Sequence, residues 1–261
     1  LLIDLNAITD GDRDRVGGKA MALAQMTQAG LKVPPALCLE AAAYHEYVRT
    51  TGLLARISLE LSRKAFDEMR WEEMWDAALR IRAMFLRQPI PDALQDEWRP
   101  IFEQIFADSP VVVRSTGLME DTAGASFAGL HESYVNVRGS EAILEHIRLV
   151  WASLWSDAAL LYRQELGLDV ETSAMPVLVQ ELVTGERSGV AFTRDPTGGK
   201  DAIIESVWGL NQGLVDGTVE PDRWTIDPTT DGIGKHFAPD REQMLAADHM
   251  GVALQPLQAE Q

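Results

Sequence analysis

Cysteine is almost missing: Cys38 stands alone among 261 residues. A single thiol excludes an internal disulfide, and its apolar surroundings read as a small buried hydrophobe. Positive charge is scarce too, with 23 Lys and Arg against 40 Asp and Glu and a net charge of −17. That balance argues against a nucleic-acid partner, because backbone binding needs a basic face. No apolar run approaches the ~18–20 residues that span a bilayer, so no membrane association is expected. The opening LLIDLNAITDGDRDRV lacks a basic leader and soon turns acidic. No signal peptide is expected from it, and a cytoplasmic location fits. Several catalytic signatures are also missing: Ser-His-Asp, H-E-x-x-H, C-x-x-C, G-x-x-x-x-G-K-[ST], and G-x-G-x-x-G with a following acid. DGDRD at 10–14 resembles a calcium loop only superficially, since the remaining ligands do not follow.

What is present is a soluble globular composition, 46% hydrophobic and 24% charged. The length suffices for one large domain or two subdomains around a cleft. The chain is organised around residues 111–129, VVVRSTGLMEDTAGASFAG. Val111, Val112 and Val113 read as a buried strand that ends in Arg114. Ser115, Thr116, Gly117, Thr122, Gly124, Ser126 and Gly129 follow, and such a stretch favours loop over helix or strand. A strand that delivers a cation into a Gly/Ser/Thr loop suits a polyanion, because glycines admit backbone N–H groups, hydroxyls donate and Arg114 adds a charged fork. An ordinary surface loop after a core strand is the alternative. An acidic protein that binds a polyanion must place its cations locally, and a divalent metal would help.

Upstream, RVGGKAMALAQMTQAGLKVPPALC (15–38) sets Gly17 and Gly18 before Lys19. A helix is expected over 20–29, stopped by Gly30, with an extended segment at Pro34 and Pro35. Lys19 is placed for a phosphate at a helix start, or is simply a solvated lysine there. Residues 41–106 are helical in pattern, with Met74, Ala78, Ile81 and Phe85 on one face. This region is expected to be structural, a lid or a spacer, with Trp71, Trp75 and Trp98 in helix packing. Strands are expected at 133–137 and 176–183, then a strand and turn over 188–199 and a strand over 201–207, these two strands antiparallel. One helix is expected over 141–166, with Leu144, Ile147, Trp151, Leu154, Ala158 and Leu161 as its stripe. Read without further aid, the chain is α+β with a helical insert and an antiparallel sheet.

VVVRSTGLMEDTAGASFAGLHESYVNV resembles the signature of phosphoenolpyruvate synthase and pyruvate phosphate dikinase. VGGKAMALAQMTQAGLKVPPALC, SGVAFTRDP and ESVWGLNQGLVDGTVEPD are similar to further segments of that family, which includes the rifampicin phosphotransferases. The resemblance implies an ATP-grasp fold with two subdomains around a nucleotide cleft, divided as 1–107 and 108–261. It implies ATP and Mg2+ as ligands, with Lys19 and Arg114 as catalytic phosphate clamps. Ser115, Thr116, Gly117, Ser126 and Gly129 would cover the phosphates. Gln180, Glu181 and Val183 would meet the adenine, and Glu205 would orient cations or the ribose. Departures are Ala36, and Asn211–Gln212 where the family has Gly-Glu. The family's D-I-E-W-A, Q-x-R-P and phosphohistidine motifs do not occur here. The expected role is therefore the ATP-binding part of an enzyme that phosphorylates a histidine on a swivelling domain en route to pyruvate. The phosphohistidine and phosphoenolpyruvate/pyruvate domains would lie in the same or a partner chain. A non-catalytic module that keeps the fold, or the ATP domain of a rifampicin-type phosphotransferase, are the alternatives.

Overall fold

The computed structural model describes residues 1–117, 131–168, 173–230, 232–249 and 251–257. The chain divides into two compact units, Leu1–Leu182 and Val183–Gln261.

The first unit is built on a five-stranded antiparallel sheet. Its strands are β1 (Leu2–Asp4), β2 (Ala36–Leu39), β3 (Val111–Ser115), β4 (Ser133–Val137) and β5 (Val177–Glu181), in the order β1-β2-β5-β3-β4. Helix α1 (Arg13–Gln28) lies on one face. Val16, Ala20, Met21 and Ala24 pack there against Ala36, Cys38 and Leu178. Gly30, at φ +79°, ends α1: its amide bonds the Thr27 carbonyl at 3.0 Å and the Leu31 amide bonds Met26 at 3.0 Å. This pairing satisfies carbonyls the helix end leaves open, as the sequence position of Gly30 led us to expect. Cys38 is fully buried.

The other face carries α2 (Ala41–Thr50), α3 (Leu53–Leu61), α4 (Trp71–Arg87), α5 (Asp92–Phe106), α6 (Ser140–Ser153) and α7 (Asp157–Glu165). Leu37, Leu39, Val111, Val113, Val177 and Val179 meet Ile81, Phe85, Trp98, Phe102, Phe106 and Trp151 in one core. The apolar face of α4 is the expected one, since Met74, Ala78, Ile81 and Phe85 are all buried. Residues 41–106 are thus part of the main core, and this corrects their reading as a lid or spacer. β2, from before residue 107, is hydrogen-bonded to β5, from after it, and both belong to the first compact unit. Trp98 is buried, but Trp71 and Trp75 are 56% and 45% exposed, so only one of the three packs as expected.

The helix expected over 141–166 is two helices. Ser156 accepts the Ala159 amide at 3.1 Å and starts α7. After this break the buried face moves to Ala159, Leu160 and Arg163, while Ala158 turns outward. A serine inside an apolar stripe competes for backbone donors, which periodicity alone does not weigh. Arg163 is buried; it donates through Nη2 to the Leu154 carbonyl at 2.7 Å and lies 5.8 Å from the Trp155 ring centre. Burial lowers its pKa to about 10.

The second unit holds a four-stranded antiparallel sheet: β6 (Arg187–Phe192), β7 (Ala202–Trp208), β8 (Asp222–Ile226) and β9 (Ile233–Phe237), in that order. A short helix, α8 (Gln212–Val215), precedes β8. A hairpin of β10 (Gln243–Asp248) and β11 (Gly251–Pro256) follows. Val207, Val219 and Leu245 form a small core of their own. Both units together make a mixed helical and antiparallel-sheet protein of the expected α+β class. Among the described residues no helix is long and apolar enough to cross a membrane.

Replacing the cap with Ser156→Ala should cost about 1 kcal/mol, the usual value of a serine N-cap. Urea denaturation of the two proteins measures it, and Ser156→Asp should recover most of the loss.

Candidate functional site

The glycine pair before Lys19 has a steric role that the sequence did not reveal. Gly17 adopts φ +78° inside the span of α1, so the regular helix runs on from Gly18. A Cβ at Gly17 would lie 1.7 Å from the Thr116 carbonyl oxygen. Two backbones meet there with no room for a methyl group. Thr116, fully buried, fastens the junction: its hydroxyl donates to the Val16 carbonyl at 2.9 Å and accepts the Ala20 amide at 3.1 Å. The Thr116 amide donates to the Pro176 carbonyl at 3.1 Å, which prolongs the β3–β5 pairing. The start of the regular helix, with Lys19 in its first turn, is thus bolted to the end of β3. Helix starts carry open N–H groups and a partial positive charge.

A second set of bonds holds the chain just before this point. Arg15 donates to Glu40 at 2.6 Å and to Asp12. Asp12 also accepts the Thr9 amide at 2.9 Å and the Thr9 hydroxyl at 2.8 Å. The Thr9 amide and then its hydroxyl hold the Asp12 carboxyl below the usual range, with a smaller contribution from Arg15. The Glu40 carboxylate, by hydrogen bond and charge, holds Arg15 above its usual value.

Strand register decides which candidates share a face. Arg114 pairs with Leu178, and Val112 with Gln180. Gln180 pairs in turn with Ala36, and Leu178 with Cys38. Ala36, Cys38 and Leu178 are the residues that α1 covers. Arg114 and Gln180 therefore lie on the α1 face, with Lys19 on α1 itself, and β3 ends beside the helix start. Ser115 alternates to the opposite face and is buried. The Thr116 hydroxyl, expected among the phosphate-facing groups, is committed to the fold. Gly117 is buried next to it. Ser126 and Gly129 lie outside the described residues.

At the far end of β5 the Glu181 amide donates to the Pro35 carbonyl at 2.9 Å, and the Leu182 amide to Pro110 at 2.8 Å. Val183 is the first residue of the second unit and is 66% exposed. Glu205, on β7, faces Arg223 at 3.4 Å. The Asn211 carbonyl accepts the Leu214 and Val215 amides, both at 3.1 Å, and starts α8. Gln212 buries its Oε1 with no hydrogen-bond partner among the described residues. No group of three or more His, Cys, Asp or Glu gathers there or elsewhere among the described residues.

Comparison with known proteins identifies the family. Residues 13–261 match the model of the pyruvate phosphate dikinase AMP/ATP-binding domain. The chain belongs to that family. A phosphoenolpyruvate synthase of Aeropyrum pernix is 39% identical over 233 residues, covering 87% of this chain and 28% of the relative. A probable phosphoenolpyruvate synthase of Methanocaldococcus jannaschii is 33% identical over 255 residues, 95% of this chain and 21% of the relative. A rifampicin phosphotransferase of Streptomyces is 33% identical over 229 residues, 87% of this chain and 26% of the relative. The chain thus spans 21 to 28% of the length of these relatives. As an AMP/ATP-binding domain of this family, it has ATP as its ligand class.

The junction makes two substitutions informative. Gly17→Ala should destabilise the first unit by about 2 kcal/mol or more, since a residue with a Cβ resists the left-handed region and this one overlaps backbone. Thr116→Val should cost about 1–3 kcal/mol by stripping a buried amide and carbonyl of their partner, and Thr116→Ser should recover most of that. Chemical denaturation of the domain checks both.

Proposed function

We propose that this chain is the nucleotide-holding part of an ATP-dependent phosphotransferase of the phosphoenolpyruvate synthase type, with an ATP-grasp architecture. The observation that carries the reading is the Thr116–Gly17 junction. It brings a helix start bearing Lys19 to the end of the strand bearing Arg114, with both on one side of the sheet. A helix start, a point-charge lysine and a forked guanidinium form a donor set suited to phosphate oxygens. That chemistry fits a nucleotide triphosphate. When bound, ATP supplies the phosphoryl group that is transferred to a histidine on a separate domain en route to pyruvate. The protein's share is positioning and charge neutralisation.

In this reading Lys19 and Arg114 clamp the phosphates, and Ser126 and Gly129 belong to the cover. Glu181 and Val183 offer backbone groups to the adenine edge, beyond amides already bonded within the fold. Gln180 lies beside Arg114 on the same face. Magnesium is held mainly through nucleotide oxygens, as that ion favours, with Glu205 orienting it. The phosphohistidine and phosphoenolpyruvate/pyruvate domains belong to the same or a partner chain, and the site of action is cytoplasmic.

One observation favours a second reading, a nucleotide-binding module without turnover. Gln212 is neutral where the resemblance leads one to expect glutamate, and its carbonyl oxygen is buried unpartnered. A rifampicin-type acceptor is a third reading, supported by the Streptomyces relative. Transfer of labelled phosphate to a histidine-bearing acceptor separates the first from the second, and the identity of the final acceptor separates the first from the third.

Calorimetric titration with ATP, with and without magnesium, tests the site. Arg114→Ala should weaken ATP binding more than tenfold, about 1.4 kcal/mol or more, through loss of a charge-assisted contact. Lys19→Ala should act in the same direction with the fold intact by circular dichroism. Unchanged affinity in both variants would remove these residues from the phosphate site.

A further inference from the structure

The second unit carries a cleft on the face of its sheet opposite Glu205. Along β7, Trp208, Ser206 and Ile204 alternate with Val207 and Glu205. Register adds Arg187, Asp222, Trp224 and His236 to the Trp208 face. The Val207 face is partly closed by Val219 and Leu245. The Trp208 face opens into a cleft of about 290 Å³, which Arg241 also lines.

Its walls are a cation–aromatic pair and a stacked aromatic pair. The Arg187 guanidinium lies 3.8 Å from the centre of the Trp208 ring. The His236 ring stacks on Trp224 with centres 4.6 Å apart and planes 6° from parallel. Asp222 receives Arg241 at 2.5 Å, and His236 Nε2 lies 3.6 Å from its other oxygen. Arg241 thereby neutralises the carboxylate of the cleft.

Several arginines of this acidic chain are committed to ion pairs: Arg15, Arg80, Arg99 and Arg223 each face a carboxylate. Arg187 forms no ion pair among the described residues, although acids outnumber bases 40 to 23. Stacking on the indole occupies the flat of the guanidinium and leaves its N–H edge, the part that matches a carboxylate or phosphate. Taking Arg187, Arg241 and Asp222 together, the cleft carries one net positive charge.

We propose that this cleft binds a small organic anion, with a carboxylate or phosphate head on Arg187 and a planar or short apolar body against Trp208 and Trp224. The volume lies at the small end of ligand pockets, which run from about 300 to 1,000 Å³. It therefore suits a compact anion and not a nucleoside triphosphate. The site uses none of the residues of the nucleotide reading, and Glu205 points to the other side of the sheet.

The test follows the indole N–H signals of Trp208 and Trp224 by NMR while phenyl phosphate and, separately, benzoate are titrated to millimolar concentration. Saturable shifts of both indoles are expected. A response to phenyl phosphate alone assigns a phosphate head, to benzoate alone a carboxylate head, and to both a general anion site. Arg187→Gln should weaken binding about tenfold or more, and Arg187→Lys less, because it keeps the charge and loses the fork. Lys19→Ala should leave the shifts unchanged. If Arg187→Gln disturbs the sheet amide spectrum, the Arg187→Lys comparison carries the result. No saturable shift, equal affinity in the Arg187 variants, or shifts lost with Lys19→Ala would overturn the proposal; the last would assign them to the nucleotide site.

Discussion

The packing of Thr116 on Gly17 is the contact on which the candidate site depends. It joins stretches about a hundred residues apart in the chain. Each hydroxyl bond contributes only about 1 kcal/mol net, but a buried amide or carbonyl left without a partner costs more than the bond gains. The junction is therefore selective in register: a slip of one residue in β3 or in the start of α1 would strand both the Val16 carbonyl and the Ala20 amide. Arg114 lies two residues before Thr116, and Lys19 two residues after Gly17. The separation of the two cations follows from this one contact, since both elements that carry them are rigid.

Alternation along β3 then sorts the neighbours of Arg114 into two jobs. Val111, Val113 and Ser115 face the helical core, while Val112 and Arg114 take the side of α1. A sheet buried on both faces leaves little space for a charge. Arg114 is accommodated near the strand end, where the regular part of α1 is only beginning. The same geometry explains why Ser115 turns to the core although it stands beside the cation in sequence, while Thr116 returns to the α1 side and is committed by its bonds to Val16 and Ala20. A Gly/Ser/Thr stretch after a strand signals donors, but a period of two sends successive side chains to opposite faces.

Much of the local structure was legible in the residues. The valine run gave β3, the stop at Gly30 was correctly placed, and the apolar spacing of α4 named its buried face. The pairing of β6 with β7 followed from the turn residues between them. What could not be read were features set by distant partners. The break at Ser156 depends on a serine winning backbone donors from a continuing helix. The joining of residues 41–106 to the main core depends on Trp151, Val177 and Val179, which follow much later in the chain. Within the site, the strand-end cation Arg114 suggested a polyanion from local chemistry, while the reading of Lys19 rested on the family resemblance. The role of Gly17 could not be read, because its glycine is demanded by a carbonyl on another strand.

Both units solve the same electrostatic problem. A chain of net charge −17 repels anions at long range, so an anion is held only where cations are placed locally and acids are already matched. In the first unit Asp12 and Glu40 both bind Arg15, and Thr9 completes Asp12. In the second unit Asp222 is engaged by Arg241 and His236. Each unit thus uses one set of cations to neutralise its own carboxylates. Arg187, stacked on Trp208, lies on the same sheet face as the neutralised Asp222 carboxylate. The screening length of about 8 Å at physiological salt makes this local neutralisation sufficient, because the remaining negative surface is felt only weakly beyond that distance.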